Sequence, residues 1–243
     1  MQLSPKGCRC IKDAEKVIGT TTLLPYGTHL AWIGMVLTRP EHRRRGLAKR
    51  LVEDAIATAE QLGIRTLKLD ATDQGRPLYE SLDFTVETPI ERWGRDRSER
   101  HPATKESNLH CNAQLPSALI SLDTKAFGVE RSALLETLFR SGMCNASANG
   151  YVLSRPGRSA RYLGPCVANS QAEAEKLIVA HLESPDIQQE NWYWDMLSTN
   201  QAALSCAEKL GFTRRRLLWR MRREQVIQNN DAMVFAIAGF ELG

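Results

Sequence analysis

Apolar positions follow two different periods along this chain, and the switches between them outline its elements. RCIKDA, KVIGTTTLL and HLAWIGMVLT are β-branched or aromatic runs bounded by Gly and Pro, which predicts three early strands. Leu47, Ala48, Leu51, Val52, Ala55, Ile56, Ala59 and Leu62 then recur at three- and four-residue spacing. That predicts one long helix, closed by Gly63 where a left-handed residue is wanted. TLKLDA reads as a short strand, RPLYESL as a short helix and FTVETPIERW as a further strand. Strands alternating with helices imply right-handed crossovers and an α/β sheet.

From Gly94 to Leu115 the chain reads GRDRSERHPATKESNLHCNAQL, without apolar period and mixed in charge, Ser, Asn and Pro. A linker is expected over 96–115, between a module over 1–95 and another over 116–243. In the later stretch, Ala133, Leu134, Leu135, Leu138 and Phe139 predict a helix closed by Gly142, and GYVLSRPGRSARYLG a hairpin. Ser170 with Glu173 has capping-box spacing for a helix through Leu182, NWYWDML reads as a strand, and NQAALSCAEKL as a helix with Asn200 as N-cap. Glu80, Leu82, Phe84, Thr85 and Arg92 recur as Glu208, Leu210, Phe212, Thr213 and Arg220, a constant offset of 128 (208 − 80). The fold is therefore expected to be duplicated.

The 243 residues, 42% hydrophobic and 25% charged, exclude collagen-like, low-complexity and disordered classes. No apolar run reaches the roughly 18 residues of a membrane span, and the first residues lack a signal-peptide stretch, so no membrane partner and a cytoplasmic location are expected. The six cysteines form no CxxC pair and are expected to be reduced and mostly buried. Net charge is only +4 and evenly spread, so no nucleic-acid partner is expected. Two local clusters stand out. Arg214, Arg215, Arg216, Arg220, Arg222 and Arg223 alternate with apolar residues, which reads as a strand with a basic face. Arg43, Arg44 and Arg45 run straight into Gly46.

That second cluster sits in IGMVLTRPEHRRRGLAKRL, an apolar strand followed by an Arg-rich turn that opens the long helix. A glycine turn at a helix start offers free backbone N–H groups at the positive end of the helix, a site for phosphate or pyrophosphate. Gly46 leaves room for close approach, and the arginines add charge that can pair with phosphate. The loop is neither a Walker A nor a dinucleotide fingerprint, since GxxxxGK[ST] is absent and only one glycine is present.

Arg43-x-x-Gly46-x-Ala48, after a strand ending near Pro40 and before LYESLDF, resembles the acetyl-CoA motif of the GNAT superfamily of N-acetyltransferases. Residues 7–93 are similar to its catalytic module. The whole chain resembles the bacterial two-module members, which carry phrases like GYVLSRPGRSARYLGP and FAIAGFELG. The resemblance implies tandem mixed sheets flanked by helices, acetyl-CoA as cosubstrate, no metal, and direct attack by an amine of small-molecule or peptide type. It implies that Val36, Leu37 and Thr38 hydrogen-bond the pantetheine arm like an added strand and that the amides of Arg44, Arg45, Gly46, Leu47, Ala48 and Lys49 hold the pyrophosphate. The thioester would lie where that strand splays from LKLDA. Tyr79 matches the family's proton donor to the departing thiolate, and Thr72 stands where the family has a cofactor-contacting Asn.

This chain departs from the pattern at Asp83, where the family has Gly, and its first module is expected to start near the family's second strand, with the opening strand and helices of the acceptor-side wall not found in residues 1–10. Asp70, Asp73 and Glu91 are nearby carboxylates bound to no motif, and His42 reads as a solvated or capping residue. At the offset of 128, Gln171, Ala174 and Lys176 replace Arg43, Gly46 and Ala48, with Glu173 and Glu175 between them, and Ala207 replaces Tyr79. The second module is expected to be a degenerate copy that supports the acceptor site, where Asp123, Asp195 or Glu241 could face the amine, or a homodimer. The alternative function is an acetyl-CoA-binding regulatory or interaction protein.

Overall fold

A computed structural model describes residues 4–96, 115–184, 187 and 191–243. They form two compact units. The first is Met1–Thr88 with Leu218–Ile227 and Phe240–Gly243, and the second is Pro89–Leu217 with Gln228–Gly239. The expected linker lies almost wholly outside the described residues.

In chain order the elements are β1 (Cys8–Asp13), β2 (Lys16–Tyr26), β3 (Leu30–Thr38), α1 (Leu47–Gln61), β4 (Thr66–Ala71), α2 (Arg76–Glu80) and β5 (Thr85–Arg95). There follow α3 (Ser117–Phe127), α4 (Ser132–Ser141), β6 (Met143–Ser147), β7 (Gly150–Arg155), β8 (Arg161–Ala168) and α5 (Gln171–Leu182). The chain continues through β9 (Trp192–Leu197), α6 (Gln201–Lys209), β10 (Thr213–Arg223) and β11 (Val234–Ala236). β5 and β10 each run from one unit into the other, and both their ends are related by the offset of 128 (213 − 85 and 223 − 95).

In the first unit, β1, β2 and β3 pair antiparallel, and β3 pairs parallel with β4 across the α1 crossover. The strand on the other side of β4 is the far end of β10, Trp219–Arg223, antiparallel. The apolar stripe of α1, with Leu51, Val52, Ala55, Ile56 and Ala59 buried, packs on Ile33, Leu67, Leu69 and Met221. Gly63 has φ +72, the left-handed stop expected of it.

In the second unit, β6, β7 and β8 pair antiparallel, β8 and β9 pair parallel across α5, and Ile90–Arg95 of β5 lies antiparallel on β9. Its core gathers Trp192, Trp194, Leu177, Ile178 and Phe212. Each unit is thus a mixed sheet flanked by helices.

Three elements carry too weak a pattern to read: α3, β6 and β11. In α3 the buried stripe is Leu119, Asp123 and Ala126, so a charge interrupts the apolar period. Asp123 is tolerated there because Arg131 holds both its oxygens at 2.9 Å and the Tyr151 hydroxyl donates to it. The expectation of six reduced, mostly buried cysteines needs correction. Cys144 is disulfide-bonded, while Cys10 is exposed on β1 and Cys8 half-buried. Cys111 lies outside the described residues. Among the described residues no helix is long and apolar enough to cross a membrane.

Candidate functional site

The site is built where β3 and β4 part. Their parallel pairing runs from Leu30↔Thr66 to Trp32↔Lys68 and stops there. β3 continues to Thr38 with only its other edge paired, on β2. The register on that edge slips between Thr20 and Thr22, and opposite the slip Met35 has φ +50. A bulge of this kind bends a strand and re-aims the residues past it. Beyond it Val36 packs on the core, Leu37 is 55% exposed, and the Thr38 hydroxyl is buried with no partner among the described residues. Val36, Leu37 and Thr38 thus share an open strand edge suited to an extended ligand.

Residues 39–46 then turn through a short 3-10 segment, Pro40–His42, into α1. Arg44 has φ +58 and Gly46 φ +74, two left-handed residues in one turn. No side chain caps α1, and the first amide in its ladder is Arg50, which donates to Gly46 at 3.1 Å. Among the described residues the amides of Arg44, Arg45, Gly46, Leu47, Ala48 and Lys49 therefore have no acceptor. Arg43, Arg44 and Arg45 are exposed. Arg45 meets the ring of His42 at 2.8 Å, and Lys49 meets Glu53 at 3.9 Å. A β-carbon at Gly46 would meet nothing within 4 Å, so space alone does not require glycine there. Its positive φ does, and the open space in front is what a bulky anion needs.

Tyr79, on α2, is 8% exposed, and its ring meets Phe84 edge-on at 6.0 Å. The hydroxyl has no hydrogen-bond partner among the described residues, and burial pushes its pKa up to about 12. Thr72 precedes the helix, and its hydroxyl accepts the Gly75 amide at 3.0 Å, so it holds the turn that carries Tyr79. Asp83 adopts φ +66, a left-handed conformation that glycine takes freely.

The nearby carboxylates are spoken for. Asp70 is buried, and its oxygens accept from Arg220 at 2.9 and 3.1 Å. Burial raises its pKa against the pull of that guanidinium. Asp73 accepts from the Trp219 indole at 2.6 Å. Glu91 belongs to the second unit and accepts from Trp93 at 2.8 Å and Ser198 at 3.0 Å. Two of the three candidates for the acceptor side are corrected. Asp123 is fully buried under Arg131 and Tyr151, and Asp195 is 2% exposed beneath Arg92, which donates to it at 2.7 and 2.6 Å. Neither can face a ligand. Glu241 lies in the first unit, with its backbone against Gly34, where an added β-carbon would come within 2.9 Å of its carbonyl oxygen.

The start of α5 in the second unit differs from that of α1 in the chain that leads to it. Eight residues (39–46) connect β3 to α1, whereas only Asn169 and Ser170 connect β8 to α5. The counterpart of Gly46 is thus Ser170, also an N-cap, rather than Ala174. Its side chain accepts the Glu173 amide at 3.3 Å and so satisfies the helix start internally. Among the described residues one Glu173 carboxylate oxygen is buried without a partner. At the other position the offset holds. Phe84 and Phe212 donate to the carbonyls of Tyr79 and Ala207, the same bond in both copies.

Residues 2–84 match the model of the acetyltransferase (GNAT) family, and residues 119–236 match that of an acetyltransferase (GNAT) domain. The uncharacterized N-acetyltransferase YitH of Bacillus subtilis (strain 168) is 31% identical over 173 residues, which cover 67% of this chain and 59% of that protein. The chain thus matches less than two thirds of that relative's length. Among solved structures, a candidate acetyltransferase from Pyrococcus horikoshii has a TM-score of 0.85 at 23% identity, over 100% of this chain and 82% of that one. A tandem GNAT protein from the clavulanic acid biosynthesis pathway has a TM-score of 0.63 at 16% identity, over 92% and 85%. At these identities the structural likeness establishes the fold.

Proposed function

The chain belongs to the GNAT acetyltransferase family and carries two such domains in tandem, and on that footing we propose that it transfers acetyl from acetyl-CoA to an amine by direct attack. The observation that carries this reading is the run of six amides, Arg44 to Lys49, with no acceptor among the described residues, at a helix start without a side-chain cap and beside three exposed arginines. Backbone donors and the helix dipole favour a pyrophosphate there, and Arg43, Arg44 and Arg45 add charge. The open edge from Val36 to Thr38 would take the pantetheine amides, and the Thr38 hydroxyl, which has no partner among the described residues, is a further group for the arm to engage. In this reading residues 1–95 form the acetyl-CoA module, 96–115 a linker and 116–243 a degenerate copy.

An amine must be neutral to attack the thioester carbonyl; as the C–N bond forms, the nitrogen gives up one proton to solvent, and the C–S bond breaks to release the CoA thiolate. Tyr79 is the group read as assisting the departing sulfur. A phenol with pKa near 12 stays protonated at neutral pH. Its proton is held more tightly than that of a free thiol of pKa about 8.5, so Tyr79 serves by donating a hydrogen bond to the thiolate, and net protonation comes from solvent.

Free thiol release from acetyl-CoA, measured across a panel of amino acids, polyamines and lysine peptides, tests the reading. Turnover with at least one amine, slowed by Tyr79→Phe with CoA affinity retained, is the expected result. Tight CoA binding without turnover on any amine would favour a regulatory binding protein, and absence of CoA binding would overturn both.

A further inference from the structure

Helix α2 spans five residues, too few to hold its own shape, because helices this short are marginal without outside contacts. Its position is fixed by a residue distant in sequence. In the first unit Trp219 lies directly opposite Ala71, the last residue of β4 before the turn that leads into α2. The indole N–H donates to the Asp73 carboxylate at 2.6 Å. The Arg76 guanidinium lies 5.1 Å from the centre of the same ring, and Arg76 also donates to Glu80 at 2.6 Å. One side chain thus grips the turn on both sides of Gly75, by a charge-assisted hydrogen bond and by a cation–π contact. A β-carbon at Gly75 would lie 3.3 Å from the ring of Tyr79, so the gripped turn and the phenol are packed together.

We propose that Trp219 is a positioning residue for Tyr79, acting through Asp73 and Arg76 to set where the phenol hydroxyl sits. The proposal rests on the reading of Tyr79 as hydrogen-bond donor to the leaving thiolate. It gives the later part of the sequence a role in the first unit's site. A hydroxyl displaced by about an ångström loses much of its effect on a reacting atom.

The experiment is a double-mutant cycle on thiol release from acetyl-CoA, with the fastest amine of the panel and with water alone as acceptor. Trp219→Phe keeps an aromatic ring for Arg76, a smaller one, and removes the N–H donor to Asp73. It is expected to lower kcat about tenfold while leaving KM for acetyl-CoA within about twofold, because positioning acts on the chemical step. In the Tyr79→Phe background the same change should alter kcat by less than about twofold, since coupled residues are not additive. Asp73→Ala should reproduce Trp219→Phe, and Asp73→Asn, which retains an oxygen acceptor, should restore most of the rate. Asp73→Ala also carries the test should Trp219→Phe fold poorly.

Effects that multiply in the double variant, or an unchanged kcat in Trp219→Phe, overturn the positioning role. A wild-type rate in Tyr79→Phe alone overturns the donor reading itself, and that single variant separates the two failures. No thiol release from the wild type under either condition overturns the catalytic reading and this proposal with it.

Discussion

Arg220 stands directly across the strand pair from Asp70 and closes a bidentate ion pair on it at 2.9 and 3.1 Å, with the guanidinium 4.6 Å from the centre of the Trp32 ring. The arrangement recurs. Arg92, which precedes Arg220 by the offset of 128, stands across from Asp195 and binds it bidentately between the rings of Tyr162 and Tyr193. Removing one partner of a buried pair strands the other charge, so Arg220→Met is expected to lower unfolding free energy by about 3 kcal/mol, whereas Arg220→Met with Asp70→Leu should recover much of the loss. Urea unfolding of the two variants checks this, and equal losses would contradict it.

His181 is buried, with its Nδ1 on the Asn145 side-chain oxygen at 2.6 Å and its Nε2 on the Ser154 hydroxyl at 2.7 Å. Burial first, and the nearby Arg161 second, pull its pKa from 6.5 down to about 3. In that window the unfolded chain binds a proton that the native chain refuses. Stability from this group is therefore complete above pH 6.5 and is lost as pH falls toward 3, by up to about 1.4 kcal/mol per pH unit. His181→Gln should flatten the wild-type slope between pH 6 and 4 by about that amount. Parallel slopes for the two proteins would count against the neutral buried ring.

Gly46 occupies φ +74 with open space around it. Gly46→Ala is expected to strain the turn by about 1 kcal/mol and to weaken CoA binding about tenfold, since the cradle amides lose their alignment. The equivalent change in the second unit, Ser170→Ala, should lower stability by about 1 kcal/mol through the lost cap and leave CoA affinity unchanged. Calorimetric titration with CoA distinguishes the two sites.

Asp83 pays for its φ of +66, a conformation that glycine takes freely. Asp83→Gly should raise the melting temperature by roughly 1–2 °C, the balance of relieved strain against added freedom in the unfolded chain. A lower melting temperature would mean that the Asp83 side chain makes a compensating contact.

Much of this architecture is written in short stretches of sequence. The stripe from Leu47 to Leu62 gives α1, the strand TLKLDA has the observed bounds of β4, and Gly46 and Gly63 mark the ends of α1 through their backbone freedom. Local signals reach only as far as local forces act. The loop before α5 is six residues shorter than the loop before α1 (2 against 8), so Ser170 answers Gly46 at an offset of 124 (170 − 46) while the offset of 128 survives at Ala207, which a single offset could not reveal.

The sequence by itself pointed to a duplicated fold, to an Arg-rich glycine turn before a long helix in one copy, and to Ala207 in the other copy at the offset position of Tyr79. Those features are carried by local apolar periodicity and by residues that recur at a fixed offset. Only the tertiary structure decided which strand lies beside β4. The periodicity of Thr213–Arg223 says that it is a strand but not whose edge it completes, because backbone hydrogen bonds are alike in every strand. The choice rests on side chains brought together across 146 and 150 residues, Trp219 on Asp73 and Arg220 on Asp70. A buried carboxylate has to find its cation, and that requirement acts through space.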